Sequence, residues 1–171
     1  MAQTSFSDLH TRSTPLLLPN AWDPGSARML EAAGAEALGT TSAGFAFGLG
    51  RKDGATDIDA VIENALAIHE SVSVPVSVDL LNGGAASAEG VAENIARLID
   101  AGVAGASIED TRSDSDAPLF PFEEAVERVV AAVEAKRASG QPFVLTARAD
   151  GFFSPYLERD DAQLSEVIAR L

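Results

Sequence analysis

The sequence predicts an α/β fold built on a parallel sheet, and three observations carry that reading. Short apolar runs recur at residues 16–18, 37–38, 74–78, 104–108 and 143–146. Charged residues follow them: Asp79 and Glu109 come directly after their runs, Asp23 follows its run beyond Pro19-Asn20-Ala21-Trp22, Asp53 lies in the loop beyond its run, and the fifth run leads into Arg148 and Asp150. The stretches between runs place apolar residues at helical spacing. Strand, charge, helix, repeated, is the pattern of a parallel α/β protein with its chemistry on one rim. Several carboxylates and one arginine on that rim suggest a divalent metal and an anionic substrate.

The elements follow in order. Residues 1–14 are polar and helix-compatible, a lid or a first helix. Residues 16–18 form the first strand, closed by Pro19-Asn20. Asp23 then caps a helix whose first position suits Pro24, with Met29, Leu30 and Ala33 as its buried face and Gly34 as its stop. Residues 37–41 give the second strand. The glycine-rich stretch 42–50 is too apolar for a solvated linker. A helix over residues 57–71 carries Ile58, Val61, Ile62, Ala65, Leu66 and Ile68 at helical spacing.

Residues 74–78, rich in β-branched side chains, make the third strand. Ser87 opens the next helix, with Val91, Ile95, Leu98 and Ile99 inward and Gly102 as the stop. Residues 104–108 form a strand of small residues, and residues 111–118 a polar loop. Pro121 starts a helix carrying Val126, Val129, Val130 and Val133 that ends at Gly140. Residues 143–146 give the fifth strand. Asp160 or Asp161 caps a last helix with Leu164, Val167, Ile168 and Leu171 on one side. Strict alternation leaves two architectures, an open doubly wound sheet or a TIM-type barrel.

Composition narrows the function. The 171 residues suffice for one domain with a sizeable core, and a hydrophobic fraction of 46% is that of a globular chain. The net charge of −14 repels phosphate backbones and anionic lipid, so neither nucleic acid nor a membrane surface is an expected partner. An anionic substrate would need local cations: a metal, Arg148 or helix N-termini. The absence of cysteine excludes disulfides, thiol nucleophiles and thiolate metal sites. The N-terminus does not read as a signal peptide, and no run approaches the roughly 18 apolar residues of a membrane span, so a cytoplasmic location is the default expectation. No GxGxxG follows the first strand, and Gly48-Leu49-Gly50-Arg51-Lys52 lacks the ending and spacing of a P-loop.

Several stretches are recognisable together. Residues 19–28 (PNAWDPGSAR), Thr40-Thr41-Ser42-Ala43-Gly44 and Leu49-Gly50-Arg51-Lys52-Asp53-Gly54 resemble the isocitrate lyase/phosphoenolpyruvate mutase family. Val76-Ser77-Val78-Asp79 is similar to its metal-binding strand, residues 101–110 to its AGxxGxxxED block, and Thr146-Ala147-Arg148-Ala149-Asp150 to its NARTD strand end. The matches keep the family's order across roughly residues 15–153 and are specific as a set.

The resemblance implies a (β/α)8 barrel, of which about five of eight βα units are present, so residues 1–171 are expected to form a single incomplete barrel domain. It implies Mg²⁺, or Mn²⁺ in its place, on Asp79, with Glu109 and Asp53 holding the metal's waters. Arg148 would bind the acidic group of a small carboxylate, Asp53 would face the same substrate, and backbone amides of Ser42, Ala43 and Gly44 would grip a substrate oxygen. The implied chemistry makes or breaks a C–C or C–P bond beside a 2-oxo acid or its enolate, in the phosphoenolpyruvate mutase-like branch.

Three departures bear on that expectation. The family's second acid, two places after the metal aspartate, is Leu81 here. The loop at residues 111–116 has neither the Cys nor the Lys of the true isocitrate and methylisocitrate lyases. Strand six would begin about where the chain stops. The alternative function is therefore a non-catalytic member that binds a small carboxylate or a partner chain, and open sheet edges favour self-association or a homo-oligomer.

Plainer roles are assigned to the rest. Asp23 is mainly a helix cap. Asp110, adjacent to Glu109 and so facing the other side, is structural. His10 and His69 are surface residues; Phe45, Phe47, Phe152 and Phe153 are core or pocket wall. Ser42 has no paired base and is not a triad nucleophile.

Overall fold

The computed structural model describes residues 5–112, 118–153 and 158–171. Residues 1–4 of the expected first helix and residues 113–117 of the expected polar loop lie outside the described residues. The element order is α1 (Phe6–Thr11), β1 (Asn20–Ala21), α2 (Pro24–Ala32), β2 (Leu38–Thr40), α3 (Ser42–Gly48), α4 (Ile58–Ser71), β3 (Val76–Asp79), α5 (Ala88–Asp100), β4 (Gly105–Glu109), α6 (Phe122–Ser139), β5 (Val144–Arg148) and α7 (Asp161–Arg170). All pairings in the sheet are parallel and its spatial order is β1-β2-β3-β4-β5. A doubly wound sheet reverses its order at a switch point. No reversal occurs here, so the sheet is an arc of a TIM-type barrel carrying five βα units.

The helix caps form as the sequence predicts. Asp23 accepts from the Ser26 amide in a capping box with Pro24 at the first turn, Ser87 caps α5, and Asp160 caps α7. Outward-facing Val78, Leu80, Ala106 and Ile108 pack against Ile62, Val91, Ile95, Leu98 and Ile99 of α4 and α5. Each of the Val, Leu and Ile side chains among them, taken fully out of water, contributes roughly 1.5–3 kcal/mol. α1 is not a lid over the site: Phe6 and Leu9 are buried with Ala37 at the N-terminal ends of the strands. There Phe6 lies so close to Gly105 that a Cβ on that glycine would stand 2.9 Å from the ring.

Four local expectations are corrected. The first strand is Asn20–Ala21 and not residues 16–18. Pairing begins where the Gly39 amide donates to the Pro19 carbonyl at 3.0 Å, and Leu17 is exposed. Pro15 and Pro19 flank the earlier run and offer no amide hydrogens to a ladder. In α2 the buried residues are Ser26 and Ala27, whereas Met29 and Ala33 are exposed, because this short helix meets Ala21, Leu38 and Ile68 closely through small side chains. In α6 the buried residues are Arg128 and Ala132, while Val126 and Val130 stay exposed. Arg128 donates to the carbonyls of Asn82 and Ala85 and lies 4.3 Å over the Phe120 ring, which satisfies a buried cation. Finally, Phe47 is exposed, whereas Phe153, also exposed, lines the cavity described below as expected of a pocket wall.

The glycine-rich stretch folds as α3. The Thr41 hydroxyl caps it by accepting from the Gly44 amide, and a Cβ at Gly44 would meet Thr41 at 2.7 Å and Trp22 at 3.1 Å. α7 buries only Val167, leaving Leu164, Ile168 and Leu171 exposed. Among the described residues no helix is long and apolar enough to cross a membrane.

Candidate active site

A cavity of about 620 Å³ opens at the C-terminal ends of the strands. Side chains alternate along a strand, so the register decides which ones enter it. Asp79 pairs with Ser107, Ser107 with Thr146, and Glu109 with Arg148. Glu109 and Arg148 are thus direct cross-strand neighbours, with Asp79 one pleat lower and one strand further away. Asp110, the next residue after Glu109, is buried on the opposite side, as its adjacency predicts.

Arg148 is the centre of the site. Its NH1 lies 3.2 Å from Asp79 Oδ1, and its NH2 lies 3.1 Å from Glu109 Oε2 and 2.5 Å from Asp150 Oδ2. Three carboxylates thus pair with this arginine, and its side chain remains 37% exposed to the cavity. Burial opposes its charge, but the Asp150 hydrogen bond and the fields of Glu109, Asp150 and Asp79 raise its pKa overall.

Asp79 is firmly placed. Its amide donates to the Thr40 hydroxyl at 2.9 Å, and its Oδ2 accepts from the Ser42 amide at 2.9 Å and the Ser42 hydroxyl at 2.7 Å. Glu109 accepts a short hydrogen bond from the Thr111 hydroxyl. Burial pushes the Glu109 carboxyl up to about 6, against the pull of Thr111 and Arg148 and with a further push from Asp150 and Asp79.

The remaining expected site residues divide. Asp53 lines the cavity from the loop after α3 and is exposed. The three amides expected to grip a substrate oxygen are mostly committed elsewhere: Ser42's goes to Asp79 and Gly44's to the cap. The Ala43 amide, also at the cavity wall, has no such partner among the described residues. Asp23 caps α2 and takes no place in the cavity.

Leu81 does line the cavity, and it adopts a left-handed backbone at φ 55°, an uncommon and costly state for a residue with a branched side chain. Its carbonyl accepts from the Glu109 amide at 2.9 Å, so the turn is tied to the site strand.

Mg²⁺ takes hard oxygen donors, keeps several waters and is commonly held by one or two carboxylates. Asp79 and Glu109 supply such donors. With Asp150, three carboxylates surround one guanidinium, leaving two negative charges that one divalent cation would balance. Among the described residues no group of three or more acidic or histidine side chains is placed to hold a metal ion by itself.

Sequence reasoning put Asp150 on the rim without a role of its own and did not single out Arg170. For Asp150 a signal existed: residues two apart on a strand share a face, which places Asp150 beside Arg148. Nothing in the sequence joins Arg170 to a residue sixty positions earlier.

Comparison with known proteins identifies the family. Residues 6–171 match the family profile described as phosphoenolpyruvate phosphomutase. The chain is 32% identical to 2-methylisocitrate lyase of Escherichia coli K12 over 154 residues, covering 85% of this chain and 51% of the lyase. The crystal structure of a Burkholderia cenocepacia J2315 protein named as a lyase/mutase superposes with a TM-score of 0.90 at 44% identity, covering 98% of this chain and 58% of that one. Oxaloacetate acetylhydrolase in complex with its product oxalate gives a TM-score of 0.77 at 28% identity, covering 95% and 57%. The chain spans about half the length of the curated relatives it matches.

Proposed function

Since this chain belongs to the phosphoenolpyruvate mutase family, we propose that its cavity binds Mg²⁺ and a small 2-oxo or 2-hydroxy carboxylate, and that the reaction makes or breaks a C–C or C–P bond beside the oxo group. The observation that carries the reading is the meeting of Arg148 with Asp79 and Glu109 on the strand rim. Asp79 and Glu109 would hold the ion, which would supply positive charge where negative charge develops on the substrate oxygens. Mn²⁺ would serve the same donors, and Asp53 would contribute from the loop.

The chain's own groups do the rest. Arg148 presents a planar fork of donors suited to a carboxylate or phosphonate, and Asp150 holds one edge of that fork. Ser42 fixes the Asp79 carboxylate with two hydrogen bonds, so Asp79 meets the cavity in one orientation. Thr111 does the same for Glu109.

Calorimetric titration with Mg²⁺ tests the metal role. Binding that Asp79→Ala abolishes is expected; unchanged binding in that variant would remove Asp79 from the site. A second reading, a carboxylate-binding member without turnover, is favoured by one observation: Leu81 lines the cavity where the family resemblance places an acid. Incubation with Mg²⁺ and a panel of 2-oxo and 2-hydroxy acids separates the two, since only the enzyme forms product.

A further inference from the structure

We propose that Asp150, Asp110 and Arg170 are positioning residues that orient Arg148, so that α7 sets the direction of the guanidinium facing the cavity. The inference rests on the reading of Arg148 as the anion anchor.

The contacts run without a break. Asp150 accepts from both Nε and NH2 of Arg148, at 3.4 and 2.5 Å, which fixes the plane of the fork and leaves its far side toward Asp79 and the cavity. Asp150 is 4% exposed, so its carboxylate has little water to rely on. Its backbone amide donates to Asp110 Oδ1 at 2.8 Å. Asp110 is buried too, and its other oxygen lies 3.1 Å from Arg170 NH1. Arg170 is held in turn by the Phe120 carbonyl at 3.1 Å and by Glu166 one helical turn back at 2.8 Å.

Asp150, Asp110 and Arg170 are charged groups with scarcely any solvent around them, so each keeps its place only while its partner does. The backbone that carries Asp150 is anchored to β4 through Asp110, and Asp110 is anchored to α7 through Arg170. A mere staple for α7 would need only the Arg170–Asp110 pair. The second oxygen of Asp110 on the Asp150 amide extends that pair to the residue that grips Arg148.

The test reads Arg148 directly. Exchange of the Arg148 Nε hydrogen with solvent, followed by NMR in the metal-free protein, should quicken in Asp150→Asn and in Arg170→Gln. The Nε hydrogen of Arg97, whose exposed pair with Asp59 lies outside the series, is the internal control and should not change. In parallel, oxalate affinity in the presence of Mg²⁺ should weaken about tenfold, the low end of what losing an orienting partner costs a binding group. Both readouts are taken well below each variant's melting temperature. Should Arg170→Gln fail to fold, Arg170→Lys keeps the charge with fewer donors and should show both changes in smaller measure. Variants that melt earlier yet keep parental exchange at Arg148 and parental affinity would reduce the series to a staple and overturn the proposal. If oxalate fails to bind the parent protein, the carboxylate reading falls, and the exchange arm alone decides the positioning role.

Discussion

Replacing Glu109 by glutamine should stabilise the metal-free protein at neutral pH. The carboxyl is raised from an ordinary value of 4.5 to about 6, chiefly by burial. Between those values the native state holds a proton that the unfolded chain has released. Stability is therefore full below pH 4.5 and falls as pH rises through 6, after which the loss is constant. A shift of about 1.5 units at ~1.36 kcal/mol each amounts to about 2 kcal/mol. Glu109→Gln carries no such loss and can still accept the Thr111 hydrogen bond, while Arg148 keeps Asp79 and Asp150. Urea denaturation of both proteins in EDTA, in half-unit steps from pH 4 to 8, measures the difference. The gap should open across roughly pH 4.5–6.5 and level off near 2 kcal/mol in favour of the variant. A gap that is flat with pH, or a variant less stable than the parent at pH 7.5, would refute the argument that burial of a charge dominates at this residue.

Three further outcomes follow from the same geometry. Leu81→Asp should tighten Mg²⁺ binding several-fold in a calorimetric titration, because charge count tunes such sites and the left-handed backbone at this position suits aspartate better than leucine; an unchanged affinity would mean that the side chain does not face the ion. Asp23→Ala should lower stability by about 1 kcal/mol in thermal melts through loss of the α2 cap, without altering Mg²⁺ affinity. The chain should self-associate on size exclusion through the open β5 edge and the exposed Val126, Val130, Ile168 and Leu171, and a stable monomer at high concentration would contradict that.

The order of elements was legible because each signal was local. Caps such as Asp23, Ser87 and Asp160, the helical spacing of Val91, Ile95, Leu98 and Ile99, and charge at strand ends all act within a few residues. What stayed hidden depended on neighbours distant in sequence. Residues 16–18 look like a strand, but the sheet register starts at Pro19. Val126 and Val130 look like a core face, but the inward side of α6 is given to Arg128, which serves carbonyls of the β3–α5 loop. In the site, Asp79, Glu109 and Arg148 could be named from strand ends alone. That Ser42 and Gly44 spend their amides on Asp79 and on a cap could not, because both bonds depend on how α3 is seated.

The most direct test of the central claim is oxalate binding followed by calorimetry, with and without Mg²⁺, in the parent and in Arg148→Ala. The parent should bind oxalate only when Mg²⁺ is present, and the variant should not bind it in either case. Binding that survives Arg148→Ala, or that ignores Mg²⁺, would contradict a site in which a metal on Asp79 and a guanidinium on Arg148 hold one small carboxylate between them.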